Sequence, residues 1–305
     1  MGGSTYSHDV YTTISSSHVG KSRADIFMSR TLDSSMSPNG VTFREARDSD
    51  AHPESLPIIV GLDETGSMGS IPENLCRGKL GTLIETMLSH NVNHPAVMFM
   101  GIGDHYSDKA PLQIGQFESG AIELNKWLTT VWLEHGGGGQ NMESYLLAWL
   151  MAGRHTSTDH FEKRGKRGYL FTIGDEKTHP IVEGEALKHI MGYKQTEDLF
   201  AKNLLAEAQR MYEVFHIHAN EGSYRDDPEV IGSWNQLLGE RLLVMDNQEA
   251  IAELIASTVS VLEGANLKDV VKNFDKATAA SVTKALEKVT PGVVSPTTTK
   301  GAMKL

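Results

Sequence analysis

The sequence predicts an α/β protein of the Rossmann-like, three-layer kind, with a mostly parallel central sheet and helices on both faces. Three observations carry this. Short, nearly continuous apolar runs recur along the chain, as strands buried on both faces require. Stretches with apolar residues at helical spacing lie between them, and strands separated by helices become parallel neighbours. Polar loops follow the runs, where open parallel sheets bind their ligands.

The elements follow in order. The run at 56–62 reads as the first buried strand. After a polar loop, Leu80, Leu83, Ile84, Met87 and Leu88 recur at i, i+3, i+4, i+7 and i+8, one face of a helix. Pro72 stands where a helix can begin, because its missing N–H is not needed there. Strands are expected at 96–102, 112–117, 168–173, 213–218 and 241–245. Helices are expected at 144–153, 196–211 and 228–239, and a last one carries Ile251, Leu254, Ile255, Val259 and Leu262. One more helix is expected within 266–290. Upstream, residues 9–14 are β-branched and half polar, and read as an edge strand or as part of a partly ordered extension. The chain thus divides into an N-terminal extension (1–52), a main domain (53–264), and a C-terminal helix with a flexible tail (265–305).

Composition narrows the function. Of 305 residues, 28 are Lys or Arg and 39 are Asp or Glu, a net charge of −11. An acidic balance argues against nucleic-acid binding, which normally shows a basic face. Apolar residues at 39% against 22% charged suffice for a sizeable core. The single cysteine, Cys76, excludes a disulfide framework and a cysteine-based zinc cluster. No apolar run approaches the ~18 residues of a membrane span, and residues 1–6 lack a hydrophobic signal core, so a cytoplasmic location away from membranes is expected.

Three polar loops converge at the strand ends. Asp63-Glu64-Thr65-Gly66-Ser67 follows the first strand, 135–144 precedes a helix, and Gly174-Asp175-Glu176 follows the 168–173 strand. Asp63, Thr65 and Ser67 place a carboxylate and two hydroxyls on one turn, and Asp175 adds a second carboxylate. Such a hard-oxygen set suits Mg²⁺, Mn²⁺ or Ca²⁺.

With these motifs the chain resembles von Willebrand factor A (VWA) domains that carry a metal-ion-dependent adhesion site, and is most similar to bacterial cytoplasmic VWA proteins. The resemblance covers roughly residues 55–264. It implies the three-layer VWA fold, with Thr65 and Ser67 on the metal and Asp63 and Asp175 acting directly or through water. The remaining position would be open to a carboxylate of a partner protein. Relatives by resemblance often serve as adaptors in assemblies, sometimes with AAA+ ATPases. One departure stands out: many members have Thr as the third direct ligand after the glycines, where this chain has Gln140. An amide oxygen can coordinate a hard cation, but on a longer stem.

Other residues have two readings each. Glu143 supports the ligands from behind or is a first-turn helix acid. Asp104 is a rim acid near the metal or a plain loop residue. His105 and His135 line the rim or lie on loop surfaces. His216 and His218 alternate on an apolar strand and read as packing. The cluster from Glu162 to Arg167 reads as a solvated loop, or else as a phosphate or partner contact. Glycines 136–139 lack the Gly-Lys-Ser/Thr of a P-loop and read as backbone freedom for close approach to a metal.

Two function classes follow. One is a non-enzymatic, metal-dependent interaction module. The other is a haloacid-dehalogenase-type phosphotransferase with Asp63 as nucleophile, since Asp63-Glu64-Thr65-Gly66-Ser67 is similar to the phosphorylated loop of cation-pumping ATPases. The second lacks paired distal acids, because Asp175 is followed by Glu176-Lys177-Thr178, and leaves the glycines without a role.

Overall fold

Six strands build the central sheet: β1 (Leu56–Asp63), β2 (Pro95–Ile102), β3 (Leu112–Ile114), β4 (Gly168–Gly174), β5 (Tyr212–Ala219) and β6 (Leu242–Met245). The computed structural model describes residues 4–64, 66, 68, 70–134, 141–194 and 197–290. The strand order is β6-β5-β4-β1-β2-β3. Neighbours are parallel except β3, which runs antiparallel to β2. The mixed α/β architecture, with a mostly parallel sheet between helices, is thus the layering expected.

The period-2 alternation of each strand sorts its side chains into two cores. Ile58, Val60 and Leu62 of β1 join the layer of helices Leu80–Ser89 and Ile251–Leu262. Ile59 joins the opposite layer, built on Tyr145–Arg154, Ala201–Ala208 and Pro228–Leu238. Every residue of β1, β2 and β4 is buried. Truncating one such aliphatic side chain to Ala typically costs about 2–5 kcal/mol, so these strand ends are held rigidly.

The strand or partly ordered extension expected at 9–14 is instead the middle of helix His8–Ser17. Ser7 caps it by accepting from the Val10 N–H, and Asp9 in its first turn favours the helix dipole. Tyr11 is buried against Gly81, where a Cβ would come within 2.3 Å of its ring. Packing through Tyr11 therefore overrides the β propensity of Val10, Thr12, Thr13 and Ile14. Within 1–52, Ile26, Phe27, Met36 and Ala46 are also buried, and Arg44–Ala46 pairs in parallel with Thr156–Thr158.

Smaller corrections concern helix ends. The helix expected over 196–211 is limited to Ala201–Ala208, behind a short strand, Leu199–Phe200, that pairs with Ile181–Val182. The single helix expected in 266–290 is two, Leu267–Val271 and Lys276–Leu286, each with its own Asn266 or Asp275 cap. Ala121–Thr130 and Gly184–Met191 are further helices that the sequence reading did not identify. Of the flexible tail expected over 290–305, residues 291–305 lie outside the described residues.

At the amino ends of the strands, acids meet bases. Arg164 holds Asp48 through two bonds of 2.8 and 3.0 Å. Asp159 is bound by Arg47 (3.0 Å) and Lys163 (2.7 Å), and Glu213 by Arg241 (3.0 Å) and Arg167. The 162–167 cluster is therefore partly a structural clamp: Lys163 is exposed, but Arg164 is largely covered. No helix among the described residues is long and apolar enough to cross a membrane.

Candidate metal centre

β1 and β4 lie side by side, but β1 is followed by β2 on one flank and β4 by β5 on the other. This reversal opens the crevice in which open parallel sheets bind ligands. Asp63 ends β1 and Asp175 directly follows β4; each is 1% exposed. Tyr145, fully buried at the start of its helix, donates its O–H to Asp63 Oδ2 at 2.7 Å. Gly174 makes that contact possible, because a Cβ there would lie 1.8 Å from Tyr145 Oη and 2.6 Å from Asp63 Oδ2. Asp175 Oδ2 accepts from the Ser223 N–H at 2.6 Å and rests over Gly222. Its Oδ1 is buried without a hydrogen-bond partner.

Glu143 joins them from the second loop. It lies in a two-residue strand, Met142–Glu143, parallel to Lys177–Thr178, so the exits of the second and third loops are stitched together. The helix begins only at Tyr145, so Glu143 is not its first-turn acid. It is completely buried, and neither carboxyl oxygen has a partner. Burial, reinforced by the charges of Asp63 and Glu176, pushes its pKa up to about 11. Burial and then Asp63 and Asp175 push Glu176 up to about 8. Glu64, behind them, is driven well above the carboxylate range by burial, although Gln113 Nε2 donates to it at 2.7 Å. Among the described residues, neither Glu143 nor Asp175 has an ion pair.

Buried carboxyl oxygens without donors are costly, and a cation is the partner that best repairs the loss. Asp63, Asp175 and Glu143 fit a hard divalent ion by donor chemistry, and Asp175 and Glu143 also by their orphaned oxygens. The other expected ligands, Thr65, Ser67 and Gln140, lie outside the described residues, as do His135 and glycines 136–139.

A second cluster sits on the β2 side. Asp104, just past β2, is 1% exposed, and its Oδ1 accepts from His179 Nε2 at 2.8 Å and from the Tyr106 N–H at 3.0 Å. Burial opposes its charge, but the His179 and Tyr106 bonds outweigh that and hold its pKa below the usual range. His105 is no surface histidine: its side chain is fully covered. Its Nδ1 lies 2.7 Å from Ser144 Oγ and its Nε2 3.2 Å from Glu183 Oε2. Burial, then the neighbouring His179, lowers its pKa. One ligand atom from each of Asp104, His105 and His179 falls within 4.8 Å of the others.

His216 and His218 are fully buried, as the packing reading expected, and His216 stacks on Trp234 at 3.6 Å and 7°. The sequence reading missed Tyr145 and His179. Tyr145 heads a continuously apolar helix and reads as core. His179 lies on a short strand exit, and only the pairing of 142–143 with 177–178 brings it under Asp104.

No family model matches the chain, and no curated protein matches it. Among solved structures it is similar to the pilus adhesin SpaC from Lactobacillus rhamnosus GG in its open conformation. That match has 10% identity and a TM-score of 0.46, over 72% of this chain and 30% of that one. It is also similar to proximal thread matrix protein 1 from the mussel byssus, with 10% identity and a TM-score of 0.44, over 71% and 49%. A third match is an aerotolerance-related membrane protein from Bacteroides fragilis, with 15% identity and a TM-score of 0.38, over 66% and 96%. The chain spans less than half the length of the first two. These likenesses assign neither a family nor an activity.

Proposed function

We propose that the chain is a VWA-type domain that uses a hard divalent cation, Mg²⁺ in the first instance, to capture an acidic side chain of a partner protein. The observation that carries this reading is the set of three buried carboxyl groups, Asp63, Asp175 and Glu143, at the switch point, with orphaned oxygens on the last two. The order of the motifs, Asp63-x-Thr65-x-Ser67, the glycine run and Asp175, supports it independently. In this reading Asp63, Thr65, Ser67, Gln140 and Asp175 would surround the ion, and Glu143, protonated in the ion-free chain, would release its proton as the ion enters and then supply further negative charge behind it. The bound ion supplies a Lewis-acid contact for an incoming carboxylate. Tyr145 fixes the orientation of Asp63, and the Ser223 N–H that of Asp175.

The role is non-enzymatic and cytoplasmic, within a multiprotein assembly to which an AAA+ ATPase is a fitting partner. Affinity purification of the full chain from its native cell, in Mg²⁺ and in EDTA, tests the reading. A partner retained in Mg²⁺, released by EDTA and lost with Asp63→Ala supports it. A partner set indifferent to both EDTA and Asp63→Ala overturns it. Acetyl phosphate with Mg²⁺ should leave Asp63 unmodified by mass spectrometry; a phosphoaspartyl adduct would establish Asp63 as a nucleophile instead.

A further inference from the structure

The Asp104–His105–His179 cluster has no role in the adhesion-type reading, and its chemistry differs from that of the carboxylates beside it. We propose that these three residues form a separate site for a borderline divalent transition metal, Zn²⁺ in the first instance. The inference is independent of the hard-cation reading.

Donor type comes first. Two imidazoles and one carboxylate suit Zn²⁺ and its neighbours, whereas Mg²⁺ and Ca²⁺ prefer oxygen alone. Geometry comes second. Zn–N and Zn–O bonds of about 2.0–2.2 Å at tetrahedral angles place ligand atoms roughly 3.3–3.5 Å apart. His179 Nε2 and Asp104 Oδ1 are already 2.8 Å apart; the proton that Nε2 donates there would leave to solvent as the ion takes its place, with the ring in its Nδ1–H tautomer. All three donors fall within 4.8 Å, so adjustments of about an ångström or two complete the site. The two imidazole rings stand edge to face, 77° apart with centroids at 4.8 Å, so the rings are not stacked in parallel.

Orientation comes third. Metal-binding side chains are normally fixed by an outer layer of hydrogen bonds, and that layer is present around Asp104 and His105. Asp104 is held by the Tyr106 N–H on Oδ1 and by Ser107 Oγ, which donates to Oδ2 at 3.1 Å. His105 is held at Nδ1 by Ser144 Oγ, which also accepts from the His105 N–H at 2.9 Å. Glu183 Oε2, beside His105 Nε2, is a fourth donor on the rim, and its partner carboxyl oxygen is tied to Tyr106. Three protein ligands of this kind leave positions open for water or a partner group. Burial then matters: Asp104 and His179 are 1% and 3% exposed, so an ion here would meet little competing water.

Co²⁺, a spectroscopic stand-in for Zn²⁺, makes the test direct. The full chain is stripped with chelator, saturated with Mg²⁺ to fill any all-oxygen site, and titrated with Co²⁺. The expected result is one equivalent bound, with visible absorption of four- or five-coordinate Co²⁺ and two hyperfine-shifted, exchangeable imidazole N–H signals in the proton NMR spectrum. His179→Asn and His105→Asn should each weaken binding at least on the order of 10–100-fold, while Asp63→Ala should leave it unchanged. Absence of Co²⁺ binding over Mg²⁺ would overturn the site, as would a spectrum without histidine N–H signals. Loss with Asp63→Ala but not with the histidine variants would also overturn it, placing the ion among the carboxylates. Should a histidine variant fail to fold, the two N–H signals of the unmodified chain decide the question.

Discussion

The amino ends of the strands and the crevice at the carboxyl ends of β1 and β4 handle charge in opposite ways. At the amino ends of the strands, Asp48, Asp159 and Glu213 each meet an arginine or lysine at bonding distance. At the carboxyl ends, Asp63, Glu64, Glu143, Asp175 and Glu176 gather behind β1 and β4, and two of them, Glu143 and Asp175, have no ion pair among the described residues. The same chain thus matches its acids where they serve the fold and bunches them where the crevice opens. Paired charges at one end show that the chain can place bases beside buried acids. At the other end Lys177 and Lys284 pair with Glu229 and Asp246, but among the described residues no base stands beside Glu143 or Asp175, so the unpaired group is a feature of the crevice itself.

Breaking each end separately sharpens the contrast. The largest effect is expected at the carboxyl end. Asp63→Ala should weaken Mg²⁺ or Mn²⁺ binding by roughly a hundredfold or more, equivalent to about 2.7 kcal/mol, read by isothermal titration calorimetry. Retained affinity would separate Asp63 from any ion. Next comes Gly174→Ala, where the added Cβ must displace Tyr145 Oη or Asp63 Oδ2. It should cost about 1–3 kcal/mol in urea unfolding and also weaken the metal. A loss of stability without a loss of metal affinity would mean that the Tyr145–Asp63 contact does not shape the site.

At the amino end, Arg164→Met leaves Asp48 without its bidentate partner in a largely covered position. A loss of about 1–2 kcal/mol is expected, with metal affinity untouched. A drop in metal affinity would show that the two ends are coupled.

The smallest effect is a pH dependence at the same end. Burial, and then the charges of Arg164 and Lys166, lower the pKa of His160 from 6.5 to about 4. Below pH 6.5 the unfolded chain takes up a proton that the folded chain refuses until about pH 4. The contribution of His160 to stability is therefore complete above pH 6.5 and is lost as pH falls toward 4. Between about pH 7 and 5.5 this amounts to about 1 kcal/mol, measured by urea unfolding in EDTA. His160→Gln should remove that part of the pH slope, and equal slopes in both proteins would dismiss it.

The strands of the fold were largely legible in sequence because strands buried on both faces leave continuous apolar runs: β1, β2, β4 and β5 fall within two residues of expectation. The helix at His8–Ser17 was not, since Val10, Thr12, Thr13 and Ile14 favour strands locally. The fit of Tyr11 over Gly81, 70 residues away, together with the Ser7 cap, decides for the helix. Within the site, Asp63 and Asp175 were readable because each directly follows an apolar run. Glu143 had two readings and His179 none, because both are placed by the pairing of two two-residue strands, too short to leave a pattern, and Tyr145 was hidden at the head of an apolar helix. The missed cluster of Asp104, His105 and His179 has no local spacing either. It is assembled from the exits of β2 and β4.

The central claim is that the orphaned carboxyl groups at the switch point await a hard cation. The most direct measurement is a Mn²⁺ titration of the chelator-stripped full chain, followed by electron paramagnetic resonance, with Glu143→Gln and Arg164→Met in parallel. Glu143 is already held protonated by its surroundings, so Glu143→Gln should leave the fold and thermal midpoint of the ion-free protein nearly unchanged. The account predicts one Mn²⁺ bound by the unmodified chain and by Arg164→Met, displaced competitively by Mg²⁺ and bound at least tenfold more weakly by Glu143→Gln. Failure of the unmodified chain to bind Mn²⁺, or equal affinity in a folded Glu143→Gln protein, would contradict it.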